Sequence, residues 1–321
     1  MHDYILVTGG AGFIGSNLIQ HLNSKGFDNI IVVDDLTDAS KFANLVNCKI
    51  RLFIDKDTFY DKINFVFEKN KISYIFHCGA ISSTTHSDGK ELMKENYERS
   101  KTLLMFAIRG KIPIQYASSA SVYGNAKHGE ENPLNCYAFS KKLLDDHVKR
   151  LLADCYSDSL VYGLRYYNVY GPGEKHKGSQ ASPIYQFYTQ LKSGTNAKIF
   201  DVESFRDFIH VDDVCKFQIE LMNNPKKSGI FNVGTANPVS FYRVAELTVS
   251  EFNKLNKTNF GIDIVPMPEN LIGKYQYYTN SLSAISHGDS LLTIEEGVAS
   301  YVRALHESDC EVLSEYRKFK K

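Results

Sequence analysis

With 321 residues the chain is long enough for a nucleotide-binding domain and a second, smaller one, and its 37 basic and 37 acidic side chains cancel. No basic stripe runs along it, so a nucleic-acid partner has no electrostatic footprint, and the end Arg317-Lys318-Phe319-Lys320-Lys321 reads as a solvated terminus. Cys48, Cys78, Cys136, Cys155, Cys215 and Cys310 show no C-x-x-C spacing and the histidines no H-E-x-x-H, so reduced, packed thiols and no metal site are expected.

Tyr4-Ile5-Leu6-Val7 already reads as a core strand, leaving no room ahead of it for a leader segment. No run approaches the roughly 18 apolar residues of a membrane span, and a cytoplasmic protein is expected. Thr8-Gly9-Gly10-Ala11-Gly12-Phe13-Ile14-Gly15 then opens a helix with Ile14, Leu18 and Leu22 on one face. Further apolar runs follow at Ile30-Ile31-Val32-Val33, Tyr74-Ile75-Phe76 and Ile114-Gln115-Tyr116-Ala117. Near-continuous apolar strands between amphipathic helices predict a parallel sheet covered on both faces. That is the doubly wound α/β (Rossmann) architecture, which binds ligands at the carboxyl ends of its strands.

After residue 168 the rhythm loosens. Gly171 to Ser179 reads as a loop, and Phe208-Ile209-His210-Val211, Ile230-Phe231-Asn232-Val233 and Ile262-Asp263-Ile264-Val265 as strands. Thr293 with Glu296 three positions on is a capping box for a helix from about residue 294. The expected division is a dinucleotide-binding domain of 1–167 with 207–235, and an interleaved α/β substrate domain of 168–206 with 236–321.

Gly9, Gly12 and Gly15 permit a tight turn, close approach of a pyrophosphate to backbone N–H groups and close helix–sheet packing. Asp34 and Asp35 end the second strand about 20 residues on, where an acid bonds an adenosine ribose hydroxyl. Such an acid favours the free 2′-hydroxyl of NAD. Lys41 and Lys56, on loops beyond the second and third strands, could meet the 2′-phosphate of NADP or be solvated charges, and the residues alone leave both open.

Tyr137-Ala138-Phe139-Ser140-Lys141 sets a phenol and an ammonium four residues apart on one helix face. A nearby cation lowers a phenol's pKa, so Tyr137 could exchange a proton with a substrate hydroxyl. Y-x-x-x-K alone is a common accident. Here it follows Ala117-Ser118-Ser119-Ala120-Ser121-Val122-Tyr123-Gly124, a strand tip from which Ser119 could bond the same oxygen.

With these pieces, and with His77 to Ala80, Arg165 to Pro172 and Arg206 to Asp213, the chain resembles the extended short-chain dehydrogenases, the NAD-dependent epimerase/dehydratase family, over essentially its whole length. Asp38-Ala39-Ser40-Lys41-Phe42, Ser82-Ser83-Thr84-Thr85, Asp88-Gly89-Lys90, Glu174-Lys175-His176-Lys177-Gly178-Ser179 and Gly273-Lys274-Tyr275-Gln276 resemble the branch that epimerises ADP-activated heptoses at C6″. The resemblance implies NADP as cofactor, with Lys41 and Lys56 beside its 2′-phosphate. It implies further cofactor contacts from Phe13, Ile14, Cys78, Gly79, Ala80, Ile81, Ser82, Asn96 and Val169. Lys177, by its Gly/Ser-rich setting a solvated loop lysine, becomes by resemblance a second acid/base that also touches the cofactor. Substrate contacts are implied for Ser82, Ser119, Asn168, Ser179, Phe200, Arg206 and Tyr275, and for Gln186 where that branch has a histidine. A homo-oligomer, a pentamer, is also implied. The rival readings are another nucleotide-sugar epimerase or dehydratase, and a catalytically silent NADP-binding sensor.

Overall fold

The structure, a computed structural model, describes residues 3–125, 129–154, 159–269 and 275–319, with side chains up to residue 310. Cys155, Gly273, Lys274, Lys320 and Lys321 and the side chains of Arg317 to Phe319 lie outside the described residues.

The first half runs β1 (Tyr4–Thr8), α1 (Phe13–Ser24), β2 (Ile30–Asp34), β3 (Leu52–Asp55), α2 (Lys56–Asp61), α3 (Ile63–Lys69), β4 (Ile72–His77), α4 (Gly89–Leu92), a π turn (Met93–Glu98), α5 (Arg99–Arg109), β5 (Ile114–Ser119), α6 (Cys136–Ala153) and β6 (Val161–Tyr166). The second half runs β7 (Asn168–Tyr170), α7 (Pro183–Lys192), β8 (Ala197–Phe200), β9 (Phe205–His210), α8 (Val211–Asn223), β10 (Gly229–Val233), β11 (Pro238–Ser240), α9 (Phe241–Asn256), β12 (Ile262–Val265) and α10 (Ile294–Phe319).

Seven strands form one sheet in the order β10-β6-β5-β4-β1-β2-β3, every neighbouring pair parallel. Strand alternation sends successive residues to opposite faces. Ile5, Val7, Ile30 and Val32 therefore meet α1 and α8 through Leu18, Leu22 and Cys215. Leu6, Ile31, Val33 and Ile75 meet α5 and α6 through Leu103, Leu104, Leu144 and Val148. Leu18 and Leu22 are fully buried, each contributing about 1.5–3 kcal/mol of apolar burial. Chain order reverses beside β1, with β2 on one side and β4 on the other, and a crevice opens there at the strands' carboxyl ends.

Two strands of this sheet depart from the buried apolar pattern. β3, with the apolar run Leu52-Phe53-Ile54, is the edge strand and leaves Leu52 and Phe53 exposed. β6 is buried throughout yet carries Gly163 and Arg165. A Cβ on Gly163 would lie 2.4 Å from the Tyr116 hydroxyl, and Arg165 is satisfied by Nε donating to Asp145 at 2.7 Å and Nη1 to Tyr123 at 2.8 Å.

Beyond the large sheet, β9 pairs parallel with β7 and antiparallel with β11, and β12 pairs parallel with β8. α7, α9 and α10 cover these strands through Ile184, Phe187, Val244, Phe252, Val298 and Tyr301. Asp207 on β9 staples the region: its buried carboxylate accepts from the backbone N–H groups of Thr235, Ala236 and Ser281 and from the hydroxyls of Thr235 and Ser281. The capping box at α10 forms, Thr293 N–H donating to Glu296 at 3.0 Å and Glu296 N–H to Thr293 Oγ1 at 3.2 Å. Three expectations are corrected. Val211 opens α8 because His210 caps it, Lys56 opens α2 because Asp55 caps it, and residues Lys175–Gln180 form a 3-10 turn inside the expected loop.

Candidate active site

The crevice at the switch point is a cavity of about 700 Å³. Its floor is the glycine loop. Gly9 has a φ of +67°, and a Cβ there would lie 2.5 Å from Gly79 N; a Cβ on Gly15 would lie 2.2 Å from Gly9 O. Gly12 is the N-cap of α1 and has no side chain to spend on the first-turn N–H groups, which leaves them for an anion. Asp34 holds the loop from below, Oδ2 accepting from Ala11 N–H at 2.7 Å while Oδ1 receives Lys41 Nζ at 2.5 Å. These features fit a dinucleotide: a backbone cradle for its pyrophosphate and acids at the ribose end.

Lys41 and Lys56 both border the cavity, but neither ammonium is unpaired. Lys41 lies on Asp34 and 3.9 Å from Asp35, and Lys56 lies 3.1 Å from Asp35 and 3.2 Å from Glu95. Burial would raise the Asp35 carboxyl, but the Lys56 hydrogen bond and the two lysine charges outweigh it and hold it below the usual range. Burial likewise works against the Lys56 charge, and its two carboxylates overcome that and raise its pKa.

At the other end, Asn135 caps α6 through Ala138 N–H, so Tyr137 and Lys141 lie one turn apart as expected. Tyr137, Lys141, Ser119 and Ser121 all border the cavity, and the Ser121 hydroxyl donates to Ser119 Oγ at 2.8 Å. The expected depression of the phenol is not found: burial raises the Tyr137 pKa, and a hydrogen bond with Ser119 offsets only part. Lys141 does not donate to the phenol; its ammonium donates to Ala117 O at 2.7 Å, and burial lowers its own pKa to about 8 against the opposing pull of Asp145. His77 is no rival base. Its ring bridges the Thr8 and Ser100 hydroxyls at 2.6 and 2.7 Å, and burial, with the Lys141 charge, drops its pKa to about 3.

Lys177 also borders this cavity, 5.3 Å from the Phe13 ring centroid. Its turn is tied to the dinucleotide side by Asn44, which donates to Ala11 O at 3.0 Å and bonds His176 Nδ1 at 3.1 Å. Burial lowers the Lys177 pKa, and the charge of buried Glu174 opposes the drop.

Of the other expected contacts, Ile14, Cys78, Gly79, Ala80, Ile81, Ser82, Asn168 and Val169 border the cavity. Asn96 does not. Fully buried on the π turn, it accepts from Ile81 N–H at 2.8 Å and donates to Ile81 O at 3.0 Å, shaping the wall from behind. Ser179 and Gln186 also lie off the cavity, Gln186 donating to Gly178 O at 2.6 Å. Phe200, Arg206 and Tyr275 gather elsewhere: Phe200 and Tyr275 line a second cavity of about 190 Å³, with the Arg206 guanidinium 5.0 Å from the Tyr275 ring and 5.5 Å from Phe241. The segment 275–279 joins the two, Tyr275 lining the smaller cavity and Gln276 and Thr279 the larger one. Thr279, Glu95 and Arg99 belong to no motif of the sequence, and only folding brings them here.

Residues 5–234 match the family described as NAD dependent epimerase/dehydratase. The ADP-L-glycero-D-manno-heptose-6-epimerase of Brachyspira hyodysenteriae is 44% identical over 317 residues, 95% of this chain and 98% of that one. The crystal structure of the Helicobacter pylori enzyme of the same name aligns with a TM-score of 0.79 at 30% identity, covering 95% of this chain and 96% of that one. A Thermus thermophilus UDP-glucose 4-epimerase in complex with NAD shares the fold, with a TM-score of 0.76, 22% identity and coverage of 94% and 98%. A family match across more than half the chain, together with a relative this similar over nearly all of it, leaves one conclusion: the chain belongs to the NAD dependent epimerase/dehydratase family.

Proposed function

We propose that this protein inverts C6″ of an ADP-activated heptose, converting ADP-D-glycero-D-manno-heptose to its L-glycero epimer for the lipopolysaccharide inner core. The observation that carries the reading is one cavity bordered by a dinucleotide cradle, by Tyr137 with Ser119 and Lys141, and by a second half-buried amine, Lys177. The 44% identity with the Brachyspira hyodysenteriae epimerase supports the choice of sugar.

An unactivated carbon cannot be inverted without temporary oxidation. When bound, the dinucleotide supplies the acceptor and then the donor of hydride, and the finer reading is NADP, with Lys41 and Lys56 at its 2′-phosphate. The chain's own part is to move the proton. Tyr137 takes it from the C6″ hydroxyl and Ser119 orients that oxygen, while Lys141, one helical turn further along α6, supplies positive charge on the same side of the cavity. Return of hydride to the opposite face requires the carbonyl to present itself the other way, and Lys177 serves the second orientation. Burial lowers its pKa against the opposing charge of Glu174, the direction that proton exchange by an amine requires. Residues 1–167 with 207–235 hold the dinucleotide, and 168–206 with 236–321 supply most of the sugar-nucleotide contacts. Arg206 among Phe200, Phe241 and Tyr275 would receive the adenosine diphosphate end. The working form is a cytoplasmic homo-oligomer, a pentamer.

The test is product identification by NMR after incubation with ADP-D-glycero-D-manno-heptose and, separately, with UDP-glucose. Formation of the L-glycero epimer from the first is expected. Turnover of UDP-glucose alone would move the protein to another activity of its family.

A further inference from the structure

At the β2–β3 end of the cavity, the two carboxylates that share Lys56 are held unequally, Glu95 more firmly than Asp35. Glu95 Oε2 lies 3.2 Å from Lys56 Nζ and also accepts Arg99 Nη1 at 2.8 Å. Arg99 is itself fixed, its Nη2 on Asp57 and its guanidinium 4.8 Å from the Tyr60 ring centroid. The Glu95 and Arg99 side chains are 10% and 11% exposed, whereas Lys56 and Asp35 are each 30% exposed. Glu95 also sits on the π turn whose next residue, Asn96, is clamped to Ile81. Asp35 and Lys56 therefore have more room to rearrange than Glu95 has.

Asp35, Lys56, Tyr60, Glu95 and Arg99 all border the cavity, as does Lys41 with its partner Asp34. A phosphate dianion reaching Lys56 meets an ammonium already shared with a fixed carboxylate, so it gains half a partner and a like-charged neighbour. A ribose hydroxyl in its place carries no charge and suffers neither penalty. We propose that Glu95, fixed by Arg99, is a specificity-determining residue that competes with the 2′-phosphate of NADP for Lys56 and narrows the preference over NAD that Lys41 and Lys56 alone would give. The inference rests on the dinucleotide reading above and deepens it.

The test is equilibrium binding of NADP and NAD, by calorimetry, to the wild-type protein, Glu95→Gln, Lys56→Met and the double variant, with far-UV circular dichroism reporting the fold. Glu95→Gln should tighten NADP about tenfold, the scale of one charge-assisted hydrogen bond, and leave NAD within about twofold. The double variant should bind NADP no better than Lys56→Met. Glu95→Asp, whose carboxylate is drawn back from Lys56 without loss of charge, gives the same readout at smaller amplitude should the glutamine variant not fold. An unchanged NADP-to-NAD ratio in these variants overturns the inference alone, and so does a gain that survives in the Lys56→Met background. A wild-type protein that binds neither dinucleotide removes the reading and the inference together.

Discussion

Replacing Lys141 by methionine should stabilise the protein at neutral pH while removing its chemistry. The side chain is 3% exposed, and burial drops its pKa from 10.5 to about 8. At about 1.4 kcal/mol per pH unit, that gap withholds about 3 kcal/mol of stability while the folded protein carries the charge. The unfolded chain keeps its proton up to about pH 10.5 and the folded chain releases it near 8, so between these limits the unfolded state binds more protons. Stability contributed by this group is therefore lowest below about pH 8 and recovers as pH rises through the window. Methionine fills a similar volume without charge, but it strands Ala117 O, which Lys141 Nζ bonds at 2.7 Å, at a cost of about 1–2 kcal/mol. The net gain at pH 7 is then about 1–2 kcal/mol, turning into a net loss by about pH 10.5. Because the chain has no tryptophan, urea unfolding is best followed by far-UV circular dichroism at several pH values. A variant less stable than wild type at pH 7, or a difference that stays constant across the window, would refute the argument.

Tyr137→Phe should cut the rate of inversion by about 10² to 10⁴ with dinucleotide binding intact, and near wild-type turnover would remove the phenol from the chemistry. Lys177→Met should abolish net inversion yet still disproportionate an aldehyde analogue of the oxidised sugar, because Tyr137 serves that half; normal epimerisation by this variant would sink the two-base scheme. Gly15→Ala puts a Cβ 2.2 Å from Gly9 O and should abolish dinucleotide binding through a displaced loop, which calorimetry would detect. Asp207→Asn loses one of two oxygens that take three N–H groups and two hydroxyls, and should destabilise by about 3 kcal/mol or more; an unchanged melting temperature would show that the staple carries no weight.

Local periodicity was sufficient for β1, β2, β4, β5, β10 and β12, because each is a short apolar run whose neighbours in the chain already mark its ends. It failed for β6, where Gly163 and Arg165 break the run, since their burial depends on Tyr116 and Asp145 supplied by other elements. The glycine loop and the Tyr137/Lys141 pair were legible for the same reason as the strands: a tight turn and an i, i+4 spacing are local geometry. The protonation behaviour of the pair was not. Spacing predicted a depressed phenol, and burial against segments far along the chain reversed the direction.

What the sequence by itself determined is therefore the alternating strand–helix order, the glycine turn that opens α1 and the placement of Tyr137 and Lys141 one helical turn apart. Each follows from the chemistry of residues within a turn or two of one another. Only the tertiary structure decided that Lys177 reaches the cavity beside Phe13, that Glu95 and Arg99 join Lys56 there, and that Phe200 and Tyr275 line a cavity of their own beside Arg206. Those outcomes turn on distance and desolvation between segments tens to more than a hundred residues apart, quantities that come into being when the sheet closes its order around β1.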